Sequence, residues 1–97
     1  MAIAQKPTLT RRATHFEFQA PATAQRVALV GDFNSWNHYS HRMRKATSGL
    51  WEATVELAPG RYQYKFLVND SQWLTDLKAK GQASNQYGTT NSVIEVK

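Results

Sequence analysis

The chain has 97 residues, enough for one compact domain and not for two. It contains no cysteine, which excludes disulfides and thiolate metal sites, and no apolar run long enough to span a bilayer. Twelve basic residues against seven acidic ones give a net charge of +5, which suits attraction to anions without selecting nucleic acid.

Residues 1–12 are expected to form a flexible basic tail, and residues 13–97 a single domain. The start, Met1-Ala2-Ile3-Ala4-Gln5-Lys6-Pro7, lacks the sustained apolar segment of a secretory signal, and a cytoplasmic location is expected. Thr14-His15-Phe16-Glu17-Phe18 alternates, with Phe16 and Phe18 facing inward, and Pro21 lies beyond its end. Arg26-Val27-Ala28-Leu29-Val30 is the next strand. Gly31-Asp32-Phe33-Asn34-Ser35-Trp36-Asn37 then reads as a loop, being rich in turn formers. In it Asp32 and Asn34 are expected to build the turn, and Phe33 to plug the end of the core.

Met43-Arg44-Lys45-Ala46 suits a short edge strand, with Ser48-Gly49 turning after it. Leu50-Trp51-Glu52-Ala53-Thr54-Val55-Glu56-Leu57 alternates cleanly, which turns Trp51, Ala53, Val55 and Leu57 inward. Ala58-Pro59-Gly60 is expected to be the hairpin turn into the next strand.

That strand, Gly60-Arg61-Tyr62-Gln63-Tyr64-Lys65-Phe66-Leu67-Val68, organises the rest. Tyr62, Tyr64, Phe66 and Val68 form an apolar face, and Arg61, Gln63, Lys65 and Leu67 point the other way. Asn69-Asp70-Ser71 reads as a turn. A three-residue loop pairs Val68 with Gln72 and Leu67 with Trp73, which puts Trp73 on the Lys65 face, away from the core. Residues 76–90 show neither period and are expected to be irregular. Ser92-Val93-Ile94-Glu95-Val96 closes the chain as a strand. Short strands separated by turns, with no helical period, predict an all-β antiparallel β-sandwich.

Trp36, the Lys65–Trp73 pair and the segment Gln86-Tyr87-Gly88-Thr89-Thr90-Asn91 expose large or polar groups with no structural use evident in the sequence. Together they suit a neutral polyhydroxylated ligand. A pyranose lays its C–H face on an indole, and its rim hydroxyls need the donors and acceptors of Lys, Thr and Asn.

Gly31-Asp32-Phe33-Asn34-Ser35-Trp36, Gly60-Arg61-Tyr62-Gln63-Tyr64-Lys65-Phe66, Gln72-Trp73 and Tyr87-Gly88-Thr89-Thr90-Asn91 occur in the order seen in family-48 carbohydrate-binding modules. The chain resembles the glycogen-binding domain of the AMP-activated protein kinase β subunit and the N-terminal domain of isoamylases and branching enzymes. The resemblance covers nearly all of residues 14–97. It implies an immunoglobulin-like sandwich of the early-set E type. It also implies an α-1,4-glucan stacked on Trp36 and Trp73 and hydrogen-bonded by Lys65, with Tyr87, Thr89 and Asn91 contributed by a late loop. Tyr87 stands where the kinase subunit has leucine, and the turn before Trp73 is one residue longer.

Other chemistries fit less well. His15, His38 and His41 lack metal-ligand spacing, so no metal site and no cofactor are expected. The basic stretch His38-Tyr39-Ser40-His41-Arg42-Met43-Arg44-Lys45 could meet phosphates, but charge also guards a solvated edge strand against aggregation, and neither a nucleic-acid nor a membrane partner is expected. Asp32, Asp70 and Asp76 sit by turns with no sign of the cleft that paired glycosidase carboxylates need, so the chain is read as non-catalytic. A sandwich that docks onto a glucan-metabolising enzyme or kinase-like partner remains the alternative function.

Overall fold

A computed structural model describes residues 10–97. Most of the expected basic tail, residues 1–9, lies outside them, and the first strand begins within its last residue. The strands are β1 (Arg12–Phe18), β2 (Val27–Gly31), β3 (Arg44–Lys45), β4 (Trp51–Leu57), β5 (Gly60–Val68), β6 (Gln72–Leu74), β7 (Gly81–Ser84) and β8 (Thr90–Val96). A 3-10 turn, Asp32–Asn34, follows β2. All pairings are antiparallel, in a three-stranded sheet β1-β4-β3 and a five-stranded sheet β2-β5-β8-β7 in which β6 also pairs with β5. The expected antiparallel β-sandwich is the architecture found.

β5 is central because its two faces serve two purposes. Its inward side chains Tyr64, Phe66 and Val68 lie in the core with Phe16, Phe18, Val27, Leu29, Val55 and Leu57. Phe18 stacks on Phe66 at 4.1 Å between ring centroids, and Phe16 meets Tyr64 edge-on at 5.1 Å, so aromatic contacts stitch one sheet to the other. Phe33 closes one end, 5.8 Å from Phe16 and 6.2 Å from Tyr62, as its loop position predicts. Trp51 packs against the same cluster from β4. At Gly31 a side chain is impossible for steric reasons: a Cβ there would lie 2.5 Å from the Gln63 carbonyl oxygen and 2.8 Å from Tyr64 Cβ.

The sheets are joined along one side by the segment between β2 and β4. Leu29 donates to the His41 carbonyl and Met43 to that of Val27, each at 2.8 Å, so this segment first pairs with β2. The next residue begins β3, which pairs with β4 of the other sheet.

Two expectations are corrected. Ala58-Pro59-Gly60 is not a hairpin turn, because β4 and β5 lie in different sheets and the turn carries the chain across. Both strands have a strongly apolar face. Side-by-side pairing would leave those faces uncovered, whereas stacking buries them against each other. The corner is held by the Tyr62 hydroxyl, which donates to the Ala58 carbonyl at 2.6 Å, the kind of tyrosine-to-backbone bond that fixes sandwich corners. The second correction is β7, which lies inside the stretch expected to be irregular. Gly81-Gln82-Ala83-Ser84 has side chains too small and polar to write an apolar period. It is held by its backbone ladder to β8 and by the fit of Gly81 under Val93, where an added Cβ would come within 3.2 Å.

Candidate functional site

The outward face of the five-stranded sheet is built by the alternate residues of β5. Asn69 (φ 53°) and Asp70 (φ 63°) adopt left-handed backbone, and the register after them pairs Leu67 with Trp73 and Val68 with Gln72, as the turn length predicts. Asn69 locks this turn to the neighbouring loop, its Oδ1 accepting from the backbone of Gln25 at 2.8 Å and of Arg26 at 3.1 Å. Trp73 therefore stands on the outward face at 40% exposure, with the His38 ring edge-on to it at 5.2 Å.

The face is not simply solvated. Leu67, expected to point outward, does so, yet it is only 2% exposed and joins Ala28 and Val30 in a small apolar cluster covered by Trp36. Trp36 is thus half-buried rather than free on its loop. Its position is fixed three ways: its backbone N–H donates to the Gly31 carbonyl at 2.9 Å, its indole N–H donates to Asp32 Oδ1 at 3.0 Å, and one side of its ring lies on the cluster. Ser35 (φ 54°) and Trp36 (φ 59°) are consecutive left-handed residues that are not glycine. Such backbone costs roughly 1–2 kcal/mol per residue and persists only where surrounding bonds hold it.

Lys65 is also covered, at 9% exposure, so it is not an ordinary solvated lysine. Its Nζ donates to Thr89 Oγ1 at 3.1 Å. Thr89 Oγ1 accepts a second bond from Asn85 Nδ2 at 2.7 Å, and the same amide donates to Asn91 Oδ1 at 2.9 Å. Asn91 Nδ2 then donates to Gln63 Oε1 at 3.0 Å, which closes a polar chain across the β7–β8 loop and β5. Asn91 is 7% exposed and lies within β8, so it braces the network from beneath rather than projecting from a loop. Two donors reach the Thr89 hydroxyl oxygen, which leaves its own hydrogen to donate outward, and the Lys65 ammonium has donors to spare.

Tyr87 stands apart from that network. It is 79% exposed at the tip of the β7–β8 loop, its hydroxyl accepts from Gln86 Nε2 at 2.9 Å, and its N–H donates to Asn85 Oδ1 at 2.9 Å. The hub of the loop is Asn85, whose Oδ1 also accepts from the Thr89 N–H at 3.2 Å. Sequence reasoning missed Asn85. Its signal is an asparagine three residues before Gly88, the arrangement of a side-chain-closed turn. Asp32 was expected to build its turn and does. It also bridges, because Oδ2 accepts from the Gln63 N–H at 2.7 Å while Oδ1 holds the Trp36 ring.

Beneath the sheet, the Tyr64 hydroxyl donates to Asp76 Oδ2 at 2.7 Å. Burial first, then the hydrogen bond and charge of Asp76, push the Tyr64 phenol well above the ordinary tyrosine value. On the outward face of the other sheet, His15 Nε2 lies 3.3 Å from Glu52 and 3.5 Å from Glu17, and its Nδ1 lies 3.1 Å from Thr54 Oγ1. All three ionisable groups are well exposed, and the spacing is that of an imidazole between two carboxylates.

The chain is similar to known proteins over most of its length. It is 36% identical over 84 residues to a 1,4-alpha-glucan branching enzyme GlgB 2 of Xanthomonas campestris pv. campestris, an alignment covering 84% of this chain and 11% of that protein. It is 39% identical over 56 residues to Protein PTST homolog 2, chloroplastic, of Arabidopsis thaliana, covering 58% of this chain and 10% of that one. The chain thus spans about a tenth of the length of these relatives. Among solved structures, the maltogenic amylase from S. marinus shares the fold with a TM-score of 0.70 at 20% identity, over 92% of this chain and 14% of that one. Residues 13–97 match the family described as the glycogen recognition site of AMP-activated protein kinase, and the chain belongs to that family of non-catalytic carbohydrate-binding modules.

Proposed function

We propose that this domain binds α-1,4-glucans such as glycogen, starch or maltodextrin, and catalyses no reaction on them. The observation that carries the reading is one sheet face bearing a held indole, a second exposed indole and a polar chain with spare donors. In this reading Trp36 and Trp73 stack on sugar rings, and Lys65 and Thr89 donate to hydroxyls. Asn91 braces both donors through Asn85, and Tyr87 meets the glucan from the loop tip. The Trp36 N–H is already taken by Asp32, so this ring offers its face alone.

Covering about 100 Å² of indole face per tryptophan contributes roughly 2–3 kcal/mol at ~25 cal/mol per Å². Two rings and a few hydrogen bonds must offset several kcal/mol of association cost, which puts a short glucan between roughly micromolar and millimolar affinity. Calorimetric titration with linear maltoheptaose and with a cyclic glucan tests this. Silence at tens of millimolar removes the reading.

A second reading has the sandwich dock onto a glucan-metabolising enzyme, because the similar stretch in one relative is part of a 1,4-alpha-glucan branching enzyme. A column of immobilised glucan separates the two: retention supports glucan binding, and flow-through alongside a retained partner supports docking.

A further inference from the structure

We infer that Asn34 and His41 are a positioning pair for Trp36, holding it for ligand only while His41 carries no proton on Nδ1, so that acidification loosens the ring and weakens glucan binding. The inference rests on the reading of Trp36 as a stacking platform.

The argument starts from an amide whose orientation is forced. Asn34 Oδ1 accepts from the Gly31 N–H at 3.1 Å, and Nδ2 donates to the Leu29 carbonyl at 3.0 Å. Exchanging the two amide atoms would set nitrogen against N–H and oxygen against carbonyl oxygen. The amide is therefore fixed by two backbone groups, independently of the histidine. Its remaining N–H points at His41 Nδ1, 2.9 Å away. A nitrogen that accepts must present a lone pair, which puts the ring proton of His41 on Nε2. In the imidazolium both nitrogens carry hydrogen, and a donor would face a donor.

Protonation then sets a donor against a donor, and with His41 held in place the Asn34 amide must turn and give up Leu29 and Gly31. The turn so released immediately precedes the two left-handed residues Ser35 and Trp36. The backbone carbonyl of Asn34 also accepts from the Asn37 N–H at 3.0 Å, so this residue brackets them from both ends. His41 is tied into the frame through its own carbonyl, bonded to Leu29, and by the edge-on contact of its ring with Phe33 at 5.8 Å. The charged and titratable side chains around the depression that His41 lines are Arg42 of its own segment, Arg44 of β3, Glu52 of β4 and His15 of β1. Of these, Glu52 faces His15 at 3.3 Å. Histidine is the side chain whose charge ordinarily changes in mildly acidic solution.

The test compares maltoheptaose affinity at about pH 7.5 and about pH 5, together with the imidazole nitrogens followed by NMR. The parent is expected to lose about five-fold or more in affinity on acidification, within the usual range of couplings between sites. His41→Gln, whose amide oxygen can accept from Asn34 and does not titrate, should bind like the parent at the higher pH and lose most of the pH dependence. His41→Leu, which sets no donor against Asn34, should also lose most of the pH dependence. His38→Gln, which removes the histidine beside Trp73, should keep the fall. A parent indifferent to pH, or a His41→Gln variant that falls as the parent does, overturns the inference. If the parent binds no glucan at the higher pH, the glucan reading fails, and the positioning pair is judged on NMR alone. There the expected result is His41 protonated on Nε2 only, with the Trp36 indole resonance following the His41 titration. A proton on Nδ1, or an indole resonance blind to that titration, overturns the pair.

Discussion

The carboxylate of Asp32 holds the indole of Trp36: Oδ1 accepts the ring N–H at 3.0 Å while Oδ2 accepts the backbone N–H of Gln63 at 2.7 Å. One side chain thus ties the tryptophan loop to the central strand and sets the angle of the ring. Asp32→Ala should lower glucan affinity several-fold although it removes no ligand contact. It should also cost roughly 1.5–3 kcal/mol of stability, the usual range for hydrogen bonds to a charged group. Asp32→Asn retains one acceptor oxygen and should fall between parent and alanine variant in both readouts. Calorimetric titration beside a urea melt checks this, and an alanine variant that binds like the parent would show that the ring needs no carboxylate.

Lys65 now carries a different expectation from that of a solvated lysine. Its stem is covered and its head is bonded to Thr89. Lys65→Ala should therefore weaken binding and also cost about 1–2 kcal/mol of stability, because truncating a covered stem loses packing as well as charge. Lys65→Met keeps the stem and should recover most of the stability without the binding. Phe66→Ala, by contrast, should cost roughly 3–5 kcal/mol, as buried aromatics do. A Lys65→Met variant that binds glucan like the parent would remove the ammonium from the site.

The central strand and its turn were legible because period and register are local properties. Four alternating apolar residues fixed which side of β5 faces the core, and three loop residues fixed the partner of Trp73. Whether the other side was covered was not legible. Leu67 is covered by Trp36 from a loop 31 positions earlier, and Lys65 is bonded to Thr89 from a loop 24 positions later. Strand β7 was invisible because its small residues write no period. The crossing at Pro59 was missed because a short turn between two alternating strands suits a hairpin and a crossing equally well. The candidate site was marked by Trp36 in its polar loop, by the register that sets Trp73 beside Lys65 and by the 86–91 segment, and the family resemblance added the individual roles of Tyr87, Thr89 and Asn91. The bonds that hold it in shape, from Asn85, Asp32 and Asn34, are tertiary and emerge only once the strands are in place.

The Tyr64–Asp76 bond gives alkaline stability a sign. Tyr64 is held protonated in the fold above its ordinary value of 10.0, so the folded state binds the proton more tightly than the unfolded chain does. Its contribution is fully present below about pH 10 and is lost as the pH rises beyond that. Tyr64→Phe should be destabilised relative to the parent at about pH 8 by roughly 1.5–3 kcal/mol, since Asp76 loses a donor. The gap should start to shrink as the pH passes about 10 and go on shrinking as the pH rises further. Urea melts of both proteins across that range measure it. A gap that widens with pH would mean that the folded state does not hold the Tyr64 proton more tightly than the unfolded chain does.

The tryptophans offer the sharpest separation of core from site. Trp51 packs inward on the β4 side, Trp36 lies on the outward cluster with one ring face held, and Trp73 is 40% exposed. Indole emission follows the polarity around the ring, so a glucan laid on the outward face should change the emission of Trp36 and Trp73 and leave Trp51 untouched. The Trp36→Phe, Trp73→Phe double variant should keep a blue, folded-like emission that ignores maltoheptaose. Trp51→Phe should still respond, because an aromatic core contact is roughly preserved at a packing cost of about 1–3 kcal/mol. The two outward rings should also differ. Trp36→Phe uncovers part of the Leu67 cluster and loses the bond to Asp32, so it should lower stability, whereas Trp73→Phe should leave stability within about 0.5 kcal/mol, as most exposed changes do. Fluorescence titration and a urea melt on the parent and these four variants give both answers. A double variant that binds glucan as well as the parent, or a ligand response carried by Trp51 alone, would move the site off this face.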